Sequence, residues 1–238
     1  LASRGATVGL LARDKDLLEE LAAELGEKAI VLVADVTKRS QVERAVKRFH
    51  REAGGLTLLV ANAGLARYAP FADQEIADIE QMVNVNVLGT LYTVKTALPY
   101  MLDAAGGHIV VVSSGAGLRA FPWAAVYGAT KAADRAFAEA LRHELSGTGV
   151  SVTTVFPGEV ATDLHAGREE RLPDWRNSDD AIPAEQVAEA IVKAVEQDKR
   201  SVFEPAAIRA LGLNGIAPKL TDRLVATLRG PTAAPRRD

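Results

Sequence analysis

Short apolar runs alternate with longer amphipathic segments along most of this chain, and that alternation is the strongest constraint on its fold. Residues 6–12 (ATVGLLA), 29–34 (AIVLVA), 56–60 (LTLLV), 108–113 (HIVVVS) and 150–156 (VSVTTVF) are runs of five to seven residues rich in Val, Leu and Ile. Runs of that length suit strands buried on both faces. Between the first two, the segment DKDLLEELAAEL sets Leu17, Leu18, Leu21 and Leu25 on one helical face and ends at Gly26. The next helix turns Val42, Ala45, Val46 and Phe49 inward and stops at Gly54-Gly55. Residues 75–104 and 123–146 are helical in pattern. A further helix has Pro183 at its first position, with Val187, Ala190, Ile191 and Val195 inward. A short strand at 201–203 and an amphipathic segment over 206–228 follow. Strands alternating with helices of a dozen residues predict βαβ units, hence a doubly wound parallel sheet in a three-layer α/β/α fold.

Composition narrows the possibilities. A chain of 238 residues, 48% of them hydrophobic, is enough for one domain with a substantial core, so residues 1–238 are read as a single domain. Residues 159–182 are polar and too long for a plain connector, which predicts a substrate loop. Residues 231–238 (PTAAPRRD) are expected to be a mobile tail. The net charge of −3 gives no electrostatic reason to expect a nucleic-acid partner. The absence of cysteine removes disulfides, thiol nucleophiles and Cys-bound metals, and is compatible with a cytoplasmic location. No apolar run reaches the roughly 18–20 residues that span a bilayer. His50, His108, His143 and His165 show no metal-ligand spacing, so no metal is expected. The opening Leu1-Ala2-Ser3-Arg4-Gly5 reads like a last helical turn stopped by Gly5. The numbering is therefore expected to begin inside a domain, and targeting signals are not readable from it.

Chemistry concentrates in residues 108–131. The apolar run ends in Ser113 and Ser114, and a Gly-containing loop then leads to Tyr127 and Lys131. Four residues apart on a helix, the phenol and the ammonium share a face. A phenol with an ordinary pKa of ~10 becomes more acidic beside a fixed positive charge, and a serine at a strand end could share its substrate oxygen. That is the outline of a proton-transfer site. In parallel α/β sheets, ligands bind beyond the carboxyl ends of the strands, where Arg13, Asp35, Asn62, Ser114 and Pro157 all fall.

These pieces resemble the short-chain dehydrogenase/reductase family. ADV (34–36), ANAG (61–64), NVLG (86–89), VVSSGAG (111–117), YGATK (127–131) and PGEVATD (157–163) occur in the family's order and approximate spacing, and the likeness runs from Gly5 to about residue 203. The resemblance implies hydride transfer between a nicotinamide dinucleotide and a carbonyl or secondary alcohol. Tyr127 would be the general acid/base and Ser114 the stabiliser of the carbonyl oxygen. Lys131 would act as ribose ligand and as the charge beside the phenol, its three donors reaching both ribose hydroxyls and the phenol. Asn86 would hold a proton-relay water. Strand alternation lets only one of Ser113 and Ser114 face the crevice, and family spacing favours Ser114. The implied cofactor ligands are Arg13, Asp35, Val36, Asn62, Ala63, Gly64, Tyr127, Lys131, Pro157, Gly158, Val160 and Thr162.

Dinucleotide folds place an acid after the second strand for a ribose 2′-hydroxyl, or an Arg nearby for a 2′-phosphate. Small Ala12 followed by Arg13 predicts NADP(H) rather than NAD(H). Asp35 is expected near the adenine, and it could at the same time be an N-cap or turn residue for the helix beginning near Lys38. His165 lies in the expected substrate loop. The long helices imply a homodimer or homotetramer by resemblance. A basic amphipathic C-terminal helix with Ile216, Leu220, Leu224 and Leu228 would pack on protein, or less readily lie on a membrane. A non-catalytic NADP(H)-binding sensor or scaffold is the competing function.

Two departures stand out. The family's first strand and its Gly-rich pyrophosphate loop have no counterpart in residues 1–238, and Ala61 stands where the family often has Asn. The family's sheet order puts the first strand in the middle of the sheet. The polypeptide alone is thus expected to carry two open strand edges, to fold poorly and to hold cofactor weakly.

Overall fold

The computed structural model describes residues 1–162, 173, 181–219, 221 and 223. Within them the strands are β1 (Val8–Ala12), β2 (Ala29–Val33), β3 (Leu58–Ala61), β4 (Gly107–Val112), β5 (Val150–Pro157), β6 (Val160–Ala161), β7 (Ile182–Pro183) and β8 (Ser201–Glu204). The α-helices are α1 (Lys15–Leu25), α2 (Arg39–Ala53), α3 (Ile76–Met82), α4 (Thr90–Asp103), α5 (Ala125–Glu144) and α6 (Ala184–Glu196). Every strand pairing is parallel, so the strands end at a common carboxyl rim within each ladder.

β4 shows why the sheet is central. Ile109, Val110 and Val111 are wholly buried. Ile109 and Val111 join Val42, Val94, Ala97 and Met101 of α2 and α4 with Ala138 and Leu141 of α5. Val110 and Val112 join Val155, Val187 and Ala194, the last two from α6. Side chains alternate between the faces of a strand, so one strand feeds both layers. Each fully buried aliphatic side chain contributes about 1.5–3 kcal/mol before entropy is counted.

The sheet forms two main ladders. β1 pairs with β2, and β3-β4-β5-β8 form the larger ladder, with the registers Leu58↔His108 and Val110↔Thr153. Among the described residues no strand pairs with the other edge of β1 or of β3, which are the two open edges expected. The short pair β6–β7 joins Val160 to Ile182 and brings together the ends of the expected substrate loop. Residues 163–172 and 174–180 of that loop, including His165, lie outside the described residues, as does the tail 231–238.

Some expectations change. Only Leu18 of the α1 leucine stripe is buried, while Leu17 and Leu21 are exposed. With only β1 and β2 beneath it, α1 covers a surface too narrow for the whole stripe. The helix expected over 75–104 is α3 and α4 joined by a π-helical stretch, Val83–Gly89. Pro183 is the residue before α6, not its first. Residues Ala206–Gly215 form a 3-10 helix instead of the start of a long amphipathic α-helix, with Gly212 and Gly215 in the run and Pro218 beyond it. Ile216 is exposed, and Leu220, Leu224 and Leu228 lie outside the described side chains, as does the membrane reading that depends on them. Among the described residues, no helix is long and apolar enough to cross a membrane.

Candidate active site

β4 runs straight into the site. Ser113, the first residue past the strand, is buried and donates from Oγ to the backbone carbonyl of Lys131 at 2.7 Å. Ser114 points otherwise: its Oγ accepts from Ala116 N–H at 3.1 Å and caps a 3-10 turn, Gly115–Gly117. Ser113 is thus committed to holding α5. The turn must pass close to that helix, because a Cβ on Gly117 would sit 2.5 Å from Ser113 Oγ and 2.7 Å from the Lys131 carbonyl oxygen. Only glycine fits there.

α5 begins at Ala125 and presents Tyr127 and Lys131 one turn apart, both buried. Tyr127 packs with Ala66, Met82 and Tyr68, and the Tyr68 ring meets it edge-on at 6.0 Å between centroids. Lys131 Nζ donates to the Val112 carbonyl at 2.9 Å and to Asp134 Oδ2 at 3.0 Å. The family resemblance turns all three ammonium donors toward ribose and phenol; the fold commits two of them to the protein. Burial raises the Asp134 carboxyl above the usual range, opposed by the Lys131 charge and by hydrogen bonds from Lys131 and Thr90.

Asn86 sits in the π-helical stretch and is completely buried. Its Oδ1 accepts from Leu65 N–H at 2.8 Å, and its Nδ2 donates to the Leu65 carbonyl and to Thr130 Oγ1, each at 2.9 Å. Thr130 in turn donates to the Tyr127 carbonyl at 2.7 Å. The amide therefore pins the loop after β3 to α5. π-helical stretches interrupt α-helices mostly at functional sites. Gly64, which ends ANAG, lies where Lys131 and Asn86 converge: a Cβ there would be 3.4 Å from Lys131 Nζ and 3.5 Å from Asn86 Oδ1. A side chain there would be in van der Waals contact with both groups, so the glycine backbone passes close to the ammonium.

The remaining expected ligands line the rim. Asn62 and Ala63 are exposed just after β3. Arg13 is exposed at the end of β1, and its charge reaches Asp35 past the end of β2. Burial pushes the Asp35 carboxyl up, but the hydrogen bond from Thr37 and the charges of Arg13 and Lys38 outweigh it, and its pKa is lowered. Asp35 Oδ1 accepts from Thr37 N–H at 2.9 Å, so it serves the turn before α2, whose N-cap is Lys38. Val36 packs against Gly89 of the π-helical stretch. Pro157 ends β5, and Gly158 N–H donates to the Glu204 carbonyl at 2.8 Å. Val160 is half-buried in β6, and Thr162 is exposed just after it.

The site thus brings together Asn86, Gly64, Tyr127 and Lys131, with Ser114 at the strand end and Arg13 and Asp35 farther along the rim on the smaller ladder. Asp134 and Thr90 are additions that sequence reasoning missed. The available signal was an acid three residues after Lys131, on the stripe of α5 that otherwise faces inward.

Known proteins resemble this chain in sequence and in fold. The family described as short chain dehydrogenase matches residues 1–173. An uncharacterised oxidoreductase of Staphylococcus aureus (strain MRSA252) is 34% identical over 200 residues, 84% of each chain. A closed form of serine dehydrogenase complexed with NADP+ is 28% identical, with a TM-score of 0.77, covering 85% of this chain and 86% of that one. A short-chain dehydrogenase/reductase from Burkholderia phymatum in complex with NAD shares the fold, with a TM-score of 0.83 at 24% identity, covering 99% of this chain and 91% of that one. The chain belongs to the short-chain dehydrogenase family of oxidoreductases.

Proposed function

We propose that this protein interconverts a carbonyl and a secondary alcohol using NADP(H), with Tyr127 as general acid/base. The observation that carries the reading is the convergence of a buried ammonium and a buried amide at Gly64, one helical turn from a buried phenol. The dinucleotide, when bound, supplies or accepts the hydride. Its fit rests on three features of the chain. Gly64 brings backbone close to Lys131 Nζ, the third ammonium donor is available to ribose, and the exposed Arg13 guanidinium beside small Ala12 suits a 2′-phosphate. Asp35, Val36, Asn62, Ala63, Pro157, Gly158, Val160 and Thr162 complete the expected contacts along the rim.

In reduction, Tyr127 gives its hydroxyl proton to the substrate oxygen, and in oxidation it takes that proton back. Ser114 Oγ donates to the same oxygen as charge develops on it. Lys131 stands one helical turn from the phenol on α5. Asn86, with its side chain held by Leu65 and Thr130, fixes the loop that carries Gly64, and by family resemblance it places a relay water. A homodimer or homotetramer through α4 and α5 belongs to the same reading.

The test is a panel of carbonyl compounds assayed for NADPH consumption, with Tyr127→Phe as control. At least one compound should be turned over, and Tyr127→Phe should lower that rate at least about 10²-fold without loss of fold by circular dichroism. Undiminished turnover by Tyr127→Phe would remove the catalytic assignment. NADPH binding with no turnover of any compound would favour the sensor reading instead.

A further inference from the structure

Asp134 is a charged residue on a face of α5 that otherwise buries Tyr127, Thr130, Lys131, Ala138 and Leu141. It is 2% exposed and Lys131 is 4% exposed, so the pair is shielded from solvent. Its Oδ2 accepts from Lys131 Nζ at 3.0 Å while the Val112 carbonyl accepts from the same ammonium at 2.9 Å. An ammonium has three donors. Two are taken by these bonds, and Gly64 is a further neighbour of the ammonium, where a Cβ would be 3.4 Å from Nζ.

Asp134 is also tied to a second element. Thr90, one turn after Asn86, bonds the Asp134 carboxyl, and its hydroxyl bonds the Asn86 carbonyl at 2.8 Å. The carboxyl thus links Lys131 on α5 to Asn86 in the π-helical stretch. A buried ion pair is a costly way to stabilise a helix interior, and removing one partner leaves the other charge uncompensated. A four-carbon lysine stem without a clamp would also sample several rotamers.

We propose that Asp134 is a positioning residue for Lys131: with the Val112 carbonyl it clamps the ammonium so that the remaining donor is presented beside Gly64, where the dinucleotide ribose would bind. The inference rests on the oxidoreductase reading for the identity of that ligand. In this reading Asp134 acts only through Lys131.

The test is a double-mutant cycle read as NADPH affinity, titrated by the nucleotide's own fluorescence. The proteins are the parent, Asp134→Asn, Asp134→Ser, Lys131→Met and the Lys131→Met/Asp134→Asn double variant. Asp134→Asn is nearly isosteric, and Asp134→Ser guards against a loss that comes from one misfolded variant. Both should weaken NADPH binding about tenfold while Lys131 is present, and Asp134→Asn should change it by less than about twofold in the Lys131→Met background. Parent-like affinity in both single Asp134 variants overturns the proposal. So does an equal loss in the two backgrounds, which is what a merely structural role produces. A coupled cycle in a protein that reduces no carbonyl sinks the catalytic reading and leaves the clamp standing. A flat cycle in an active enzyme sinks the clamp alone.

Discussion

Arg13 carries the cofactor preference at the scale of a single residue. It is exposed at the end of β1, its neighbour Ala12 offers no carboxylate, and its charge helps hold Asp35 ionised. A guanidinium can bond a 2′-phosphate bidentately, whereas a ribose 2′-hydroxyl offers it no charge to meet. Arg13→Ala should therefore raise the KM for NADPH by about ten- to hundredfold and leave that for NADH within about twofold, since one lost charge-assisted pair is worth roughly 1.5–3 kcal/mol. Steady-state kinetics with both nucleotides make the check, and comparable efficiency of the parent with the two would end the NADP(H) preference. Residue-level legibility was uneven. Tyr127 and Lys131 were readable because helical spacing alone puts them on one face. Ser113 and Ser114 were separable only by alternation and family spacing, and the fold adds the bond of Ser113 to the Lys131 carbonyl. The Lys131–Asp134 pair was missed because an acid three residues from a lysine is usually a solvated surface pair, and composition cannot show which pairs lose their water.

Among the elements, the strands were legible and the interruptions were not. Continuous Val/Ile/Leu runs mark strands covered on both faces, and β3, β4, β5 and β8 fall within two residues of their expected bounds. The π-helical stretch leaves no such mark, since Asn86 and Gly89 read as ordinary weak helix formers. Its wide turn depends on tertiary partners, namely Leu65, Thr130 and Val36. β4 carries another feature hidden in the sequence. His108 is buried, and its Nε2 lies 2.7 Å from Thr153 Oγ1, whose hydroxyl donates to the Lys199 carbonyl at 2.5 Å. Thr153 has spent its one proton, so His108 must donate through Nε2 and be neutral at Nδ1 or charged. Burial lowers the His108 pKa, with Asp198 opposing and Arg142 adding to the shift. The folded protein thus binds this proton less readily than the unfolded chain. The stability this contributes is complete above the unfolded value of about 6.5 and is lost as pH falls through that value toward the folded one. Urea unfolding at pH about 7.5 and about 5.5 should show a fall that is shallower in His108→Gln, whose side chain cannot take the proton. Parallel falls in the two proteins would assign the acid sensitivity elsewhere.

At the scale of the whole molecule, the two ladders set how cooperatively these 238 residues can unfold. β1 and β2 carry a small cluster, Leu32, Ala34 and Ala45 with Leu11 and Ile30, whereas β3-β4-β5-β8 are packed on both faces. Phe49 of α2 packs against both the small cluster and the main core, over Gly9 of β1 and beside Leu32. That contact is a bridge of side chains and not of backbone, because no strand pairing joins the ladders among the described residues. Open strand edges leave N–H and C=O groups to water, and a two-stranded unit is at best marginal without support. The β1–α1–β2 unit should therefore open at a lower free energy than β4 and β5, as a separate cooperative unit. Hydrogen exchange read by mass spectrometry should show amides of residues 8–33 exchanging at least about tenfold faster than those of 107–112 and 150–157, a gap of about 1.4 kcal/mol or more. Phe49→Ala should widen the gap by removing a large side chain that, among the described residues, packs against both cores. Because Arg13 and Asp35 stand on the weaker ladder and Tyr127 and Lys131 on or beside the stronger one, the same division predicts weak dinucleotide affinity in this polypeptide. A single transition by every probe, uniform protection and micromolar NADPH binding would together show that Phe49 and its neighbours suffice to make the two ladders one unit.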